Sequence, residues 1–167
     1  MITTMKDLLV EQIRDLYDAE NRITAALPKM EAAAHNNDLK QAFQSHLSET
    51  RNQVDRLVEI SNILGISPDG ETCEATKGLI REGEELIPKL SDPDVGDAAL
   101  IAAAQRIEHY EIASYGSAAT FATCIGESRI AELLGQTLAE EKEADSKLQK
   151  IAKGGIFSSG INKEATQ

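Results

Sequence analysis

Glu108 and Glu111 stand one turn apart in QRIEHYEIASYG, residues 105–116, where the spacing otherwise marks the apolar stripe of a helix. That stripe runs Ile101, Ala104, Glu108, Glu111, Tyr115, Ala118, Ala122 in alternating steps of three and four. Three further helical segments carry acids on or beside their apolar stripes near mid-helix: Glu20, then Glu49, then Glu141 with Asp145. Glu49 flanks its stripe and forms a polar ledge with His46 and Gln53. Glu20 and Glu49 are 29 residues apart, Glu108 and Glu141 are 33 apart, so the two halves of the chain carry similar patterns.

Carboxylates facing one another inside a helical bundle are unstable without compensation. An unpaired buried charge costs several kcal/mol, and a like charge a few ångströms away adds to it. Protons, nearby lysine or arginine, or bound cations are the remedies. Arg51, Arg56, Lys142 and Lys147 fall on flanking faces, which leaves protons and multivalent cations. Carboxylates with an occasional imidazole suit iron or manganese, and two metals bridged by carboxylates between four helices are a known arrangement of such bundles.

The neighbouring signals are less specific. His46 reads as a ligand, as the hydrogen-bond partner of a ligand, or as an ordinary core histidine. His109 lies beside a stripe position and should point away, and His35 falls in a connection. Tyr17 stands three before Glu20 and Tyr115 four after Glu111, within reach of a carboxylate or simply packed in the core. No glycine-rich phosphate loop, nucleophile elbow or Ser-His-Asp arrangement is visible.

The elements that must position these groups can be read from caps and periodicity. Thr3 or Thr4 caps a first helix whose stripe is Leu9, Ile13, Leu16, Glu20, Ile23, Leu27, Met30, with Pro28 predicting a bend or an early end. After HNND (35–38) a second helix carries Leu39, Phe43, His46, Thr50, Gln53, Leu57, Ile60 and Leu64 and stops at Gly65. A shorter helix is expected within residues 72–90. Asp92 or Ser91 caps the third long helix, with Pro93 in its first turn. Gly126 ends it, and Ser128 is expected to cap the fourth. Short connections make two antiparallel hairpins, joined by about thirty residues that can travel the length of a bundle. The spacing therefore predicts an all-α, ferritin-like four-helix bundle with one long crossover carrying a short fifth helix; two hairpins with an ordinary insertion is the alternative. The bundle is expected over residues 1–153, followed by a flexible tail over 154–167.

Composition agrees. The 167 residues fit one domain, with 41% hydrophobic, 27% charged and only 4% aromatic residues, a mixture that favours helices. A net charge of −11 argues against a nucleic-acid or anionic-membrane partner. No apolar run approaches membrane length, and MITTMKDLLVEQ lacks the apolar core of a signal peptide, so a cytoplasmic protein is expected. Cys73 and Cys124 read as reduced thiols, and the lack of CxxC pairs excludes an attached rubredoxin-like iron centre.

Four segments, DAALIAAAQRIEHYEIASYG, CEATKGLIREG, FQSHLSETRNQVDRL and TLAEEKEADSKLQKIA, together resemble the YciF-type bacterial stress-protein family, a ferritin-like group. The similarity runs from about Lys6 to Ala152 in family order. It implies a four-helix bundle with a short fifth helix, a cytoplasmic homodimer, and an association with general, osmotic or oxidative stress. The family's relation to rubrerythrin implies a di-iron or di-manganese site, with Glu20, Glu49, Glu108, Glu111 and Glu141 at the positions of the ligands. Where those relatives carry Glu-x-x-His on the second helix, Asn52 follows Glu49 here, and the acid pair of the fourth helix ends in Asp145. The donor set is correspondingly richer in oxygen, which favours manganese or a weakly held metal.

The leading expectation is a dinuclear iron or manganese protein handling oxygen or peroxide. Glu20, Glu108, Glu111 and Asp145 would be terminal ligands, Glu49 and Glu141 bridging, and His46 a ligand or a proton carrier beside Tyr17. Its reductant would be an external partner. The alternative is a non-enzymatic stress or interaction protein with a structural or vestigial metal site. Iron storage in a closed cage fits less well, because no separate helix follows the fourth to cap it.

Overall fold

In a computed structural model, residues 1–155 and 158–166 are described. Helix α1 (Met5–Ala33) starts on a capping box: the Thr4 hydroxyl accepts the Asp7 amide while the Asp7 carboxylate accepts the amide of Thr4. Its stripe of Leu9, Ile13, Leu16, Ile23 and Leu27 is buried. Pro28 does not end the helix early. It sits on the exposed face, and burial of Ala26, Leu27 and Ala34 on the other side carries the last turns to Ala33.

Helix α2 (Asn37–Leu64) begins on Asn36, whose side chain accepts the amides of Asp38 and Leu39. It stops at Gly65, where φ is 70°, a left-handed conformation that glycine adopts without a Cβ clash. A 3₁₀ turn at Ile87–Lys89 follows the shorter α3 (Glu74–Leu86) in the crossover. Helix α4 (Pro93–Cys124) starts on Asp92, and α5 is Ser128–Lys153. Ser128 is not the cap of α5. The Glu127 amide donates to the Ala122 carbonyl at 2.9 Å, a bond that closes the turn so tightly that Ser128 is already helical and Glu127 stands at the cap position.

The long helices form two antiparallel hairpins, α1 with α2 and α4 with α5, docked through α1 on α4 and α2 on α5. Asp97 of α4 pins the first hairpin to the second. Its buried carboxylate accepts the amides of His35 at 2.8 Å and Asn36 at 2.6 Å, in the α1–α2 connection. The crossover is held by Cys73, which caps α3. Its amide donates to Asp18 at 2.8 Å, and its thiol donates to the Tyr110 hydroxyl at 3.1 Å, which in turn donates to Asp15. Burial and the adjacent Asp15 keep the Tyr110 phenol neutral by raising its pKa. Both cysteines are free, Cys73 buried and Cys124 exposed.

Of the tail expected over 154–167, residues 156, 157 and 167 lie outside the described residues, and the described ones form short elements. β1 (Gly154–Gly155) pairs antiparallel with β2 (Ser158–Ser159), and α6 (Ile161–Glu164) is a helical turn whose Ile161 is buried in the core. A single apolar anchor has no periodicity, so nothing in the sequence pattern marks it.

The core is divided in two. One apolar cluster contains Leu9, Ile13, Leu16, Leu57, Ile60, Tyr115 and Leu134; the other contains Ile23, Leu27, Leu39, Phe43, Ile107 and Leu148. On α1, α4 and α5 the gap between the clusters falls at buried glutamates, and on α2 it falls at His46, Thr50 and Gln53.

Candidate metal centre

Between the two apolar clusters lies a polar layer fed by all four long helices. Glu20 comes from α1, His46, Thr50 and Gln53 from α2, Glu108 and Glu111 from α4, and Glu141 from α5, and every one of them is buried. Glu20, Glu111 and Glu141 have no exposed surface, Glu108 retains 3% and His46 7%. His46, Glu108, Glu111 and Glu141 each offer one ligand atom, and those atoms lie within 4.8 Å of one another. The His46 Nε2 is 3.2 Å from Glu108 Oε1 and 3.9 Å from Glu141 Oε2, and its Nδ1 is 3.6 Å from Glu49 Oε2.

Neutral hydrogen bonds serve part of this layer. Tyr115 donates to Glu20, and the Gln53 amide donates to Glu141 and, at 3.1 Å, to Glu140. Much is left unserved. Nine side-chain atoms among the described residues are buried without a hydrogen-bond partner, and all but Thr24 Oγ1 belong to this layer. They include both oxygens of Glu111, both nitrogens of His46, and one oxygen each of Glu20, Glu108 and Glu141. Buried polar atoms are ordinarily satisfied, so a concentration of orphans on metal-ligating types is a cluster that could hold a cation. The donor set, carboxylates with one imidazole, fits manganese or iron.

Without a cation, protons must balance the charge. Burial pushes the Glu20 carboxyl up to about 7, although the Tyr115 hydrogen bond and His46 pull it back. Burial, then the charges of Glu20, Glu141 and Glu108, raise Glu111 well above the carboxylate range. Glu141 is also raised, by burial against the opposing pull of His46. For His46, burial favours the neutral ring, yet Glu108, Glu49 and Glu141 together lift it well above its usual value. Burial and the neighbouring Glu20 keep Tyr115 protonated.

Of the residues singled out by spacing, the structure brings Glu20, His46, Glu108, Glu111 and Glu141 together. Glu49 stands at the rim with 45% of its side chain exposed, linked to the layer through His46. Asp145 faces elsewhere: Gln105 donates to it at 2.8 Å and His109, itself 68% exposed, lies 3.4 Å away. Tyr17 packs on the edge of the apolar core. The partnership of Tyr115 is with Glu20 across the α1–α4 contact, rather than with Glu111 on its own helix. Gln53 was legible only as part of a ledge; its reach to Glu141 on α5 has no signal in linear spacing.

Four helices with one long crossover, enclosing a mid-depth layer of glutamates and an imidazole, define a ferritin-like bundle. The comparison with known proteins agrees with that class. The chain belongs to the family described as Domain of unknown function (DUF892), which matches residues 4–165. It is 44% identical over 163 residues to Protein YciF of Escherichia coli (strain K12), covering 96% of this chain and 97% of that protein. The crystal structure of the E. coli stress protein YciF superposes with a TM-score of 0.86 at 43% identity, over 89% of this chain and 94% of that one. YcfI from Rhodopseudomonas palustris gives 0.88 at 46% identity, over 90% and 96%. A protein from Xanthomonas campestris pv. campestris shares the fold at 21% identity, with a TM-score of 0.71. Among the described residues no helix is long and apolar enough to cross a membrane.

Proposed function

We propose that this protein binds two divalent cations, iron or manganese, in the polar layer and uses them to handle peroxide or oxygen under stress. The observation that carries the reading is the set of buried, unpartnered ligand atoms on His46, Glu108, Glu111 and Glu141, gathered within 4.8 Å. Those four residues would hold one ion. Glu20, beside Glu111 and with one oxygen unpartnered, would join Glu111 and Glu141 in holding the second. Bound there, iron or manganese supplies a redox couple and a Lewis acid that polarises an oxygen substrate.

The chain's own groups do the rest. Tyr115 fixes the Glu20 carboxylate in orientation, and Gln53 does the same for Glu141. The apolar clusters on either side exclude bulk water, so charge at the layer is felt at low dielectric. His46, with Nε2 toward the layer and Nδ1 toward the half-exposed Glu49, has its ring orientation set by Glu49. A cytoplasmic homodimer supplied with electrons by an outside reductant belongs to the same reading, as does a role in stress like that in the name of the E. coli relative.

Anaerobically Fe(II)-loaded protein should consume hydrogen peroxide and oxidise its iron, and Glu108→Gln should lose that reaction while keeping its helicity. Loaded protein that leaves peroxide untouched would refute the redox half of the reading. A second reading, a non-enzymatic interaction protein with a vestigial metal site, is favoured by the proton-holding tendency of Glu20, Glu111 and Glu141, which lets the layer persist without a cation. It expects stability that does not depend on metal and no peroxide reaction.

A further inference from the structure

We propose that divalent cations reach the buried layer through the cleft between α2 and α5, with Glu49 as the ligand that receives them at the surface. This rests on the cation-binding reading above and concerns how that site is filled. The cleft has a volume of about 20 Å³, room for roughly one water, and is lined by His46 and Glu108 at its floor, Ala42 and Ala144 on its walls, and Glu49 and Lys147 at its rim. The residual exposure of the layer points the same way. Only His46 and Glu108 keep any accessible surface, and both line the cleft, whereas Glu20, Glu111 and Glu141 are sealed from every side.

A hydrated divalent ion is too large for such a passage and must exchange waters for protein oxygens as it moves. The donors are arranged for that exchange. Glu49 has 45% of its side chain in solvent, and its Oε2 lies 3.6 Å from His46 Nδ1. The other ring nitrogen lies 3.2 Å from Glu108 Oε1, so the ring bridges the rim carboxylate and an enclosed one. A cation therefore meets an exposed carboxylate, then an imidazole, then the enclosed carboxylates, along a cleft whose other lining, Phe43 and Leu148 included, offers it no donor. The two alanines make the passage. A larger side chain at Ala144, which is half-buried and supplies no ligand atom itself, would fill it.

The test is the rate at which Fe(II), added anaerobically, becomes protected from a chromogenic chelator. Ala144→Leu is expected to load the same final amount at least ten-fold more slowly. A reversible plug guards against a folding defect. Ala144→Cys in a Cys124→Ser background is labelled with a bulky methanethiosulfonate reagent, while Cys73 is buried. Labelling should slow loading at least ten-fold, and reduction followed by desalting should restore the rate. The natural chain labelled at exposed Cys124 serves as the control and should load normally. Equal rates with and without the plug at position 144 would overturn the route and leave the cation-binding reading standing. No protected iron in any chain, plugged or not, would overturn both.

Discussion

The Tyr115 hydroxyl donates to the Glu20 carboxylate although the two residues are 95 positions apart, and neither has any exposed surface. That bond joins α1 to α4 in the middle of the bundle. Tyr115→Phe removes the donor and leaves Glu20 only its contact with Glu111. We expect a loss of about 1–3 kcal/mol in metal-free stability, the penalty for an unsatisfied buried group. Because the hydrogen bond favours the ionised form of Glu20, whose pKa lies at about 7, the loss should be greater at pH 8 than at pH 5. Thermal melts of both chains at the two pH values read it directly, and a gap that ignores pH would contradict the assignment.

The layer as a whole should reverse its response to pH when metal binds. Glu20, Glu111 and Glu141 hold a proton more tightly in the folded chain than in the unfolded one, where the carboxyl pKa is 4.5. His46 does likewise above its ordinary 6.5. The folded layer therefore binds more protons, and its own contribution to metal-free stability is fullest below pH about 4.5 and falls by on the order of a few kcal/mol as pH rises through 7. Cation binding requires carboxylates without their protons and a neutral imidazole, so with saturating Mn(II) stability should rise over the same range. Melting series from pH 5 to 8, with and without Mn(II), should cross in slope.

Asp97 offers a check on the fold that is independent of the metal. Its carboxylate is the acceptor for the amides of His35 and Asn36. Asp97→Ala should cost about 2–3 kcal/mol and speed hydrogen exchange at those two amides, while leaving the number of bound cations unchanged. Asp97→Asn keeps one acceptor oxygen and should fall between.

Gly160 tests the docking of the C-terminal segment. Its φ of −75° is open to any residue, so the constraint is space: a Cβ there would lie 2.1 Å from the Lys153 carbonyl carbon and 2.2 Å from the Gly154 nitrogen. Gly160→Ala should displace Ile161 from the core and expose the residues after Lys153 to proteolysis, with the four-helix bundle still folded. Limited digestion followed by mass measurement distinguishes the two fates.

These cases also show how far the sequence could be read. The period of three and four placed Glu20, Glu108, Glu111 and Glu141 inward because a helix fixes the azimuth of each side chain relative to its own neighbours. Caps at Thr4, Gly65 and Asp92 were visible because they depend on a few adjacent residues. What one helix presents to another depends on rotation and height, which spacing does not carry. Hence the pairing of Tyr115 with Glu20, the reach of Gln53 to Glu141, and the Cys73–Tyr110–Asp15 tether of the crossover had no linear signal. Asp145 shows the limit from the other side. An offset of four from Glu141 advances about 40° beyond a full turn, enough to bring its carboxylate to Gln105 and His109.

Anaerobic equilibrium dialysis of metal-free protein against Fe(II) or Mn(II), with the bound metal measured by elemental analysis, tests the polar layer most directly. We expect about two ions per chain, the number such bundle sites hold. Glu111→Gln and Glu141→Gln should bind fewer than half as many, and the first should change metal-free stability by no more than about 1 kcal/mol, since burial and the surrounding carboxylates favour the neutral form of Glu111. No bound metal in the natural chain, or equal binding by all three chains, would contradict a cation site built from these carboxylates.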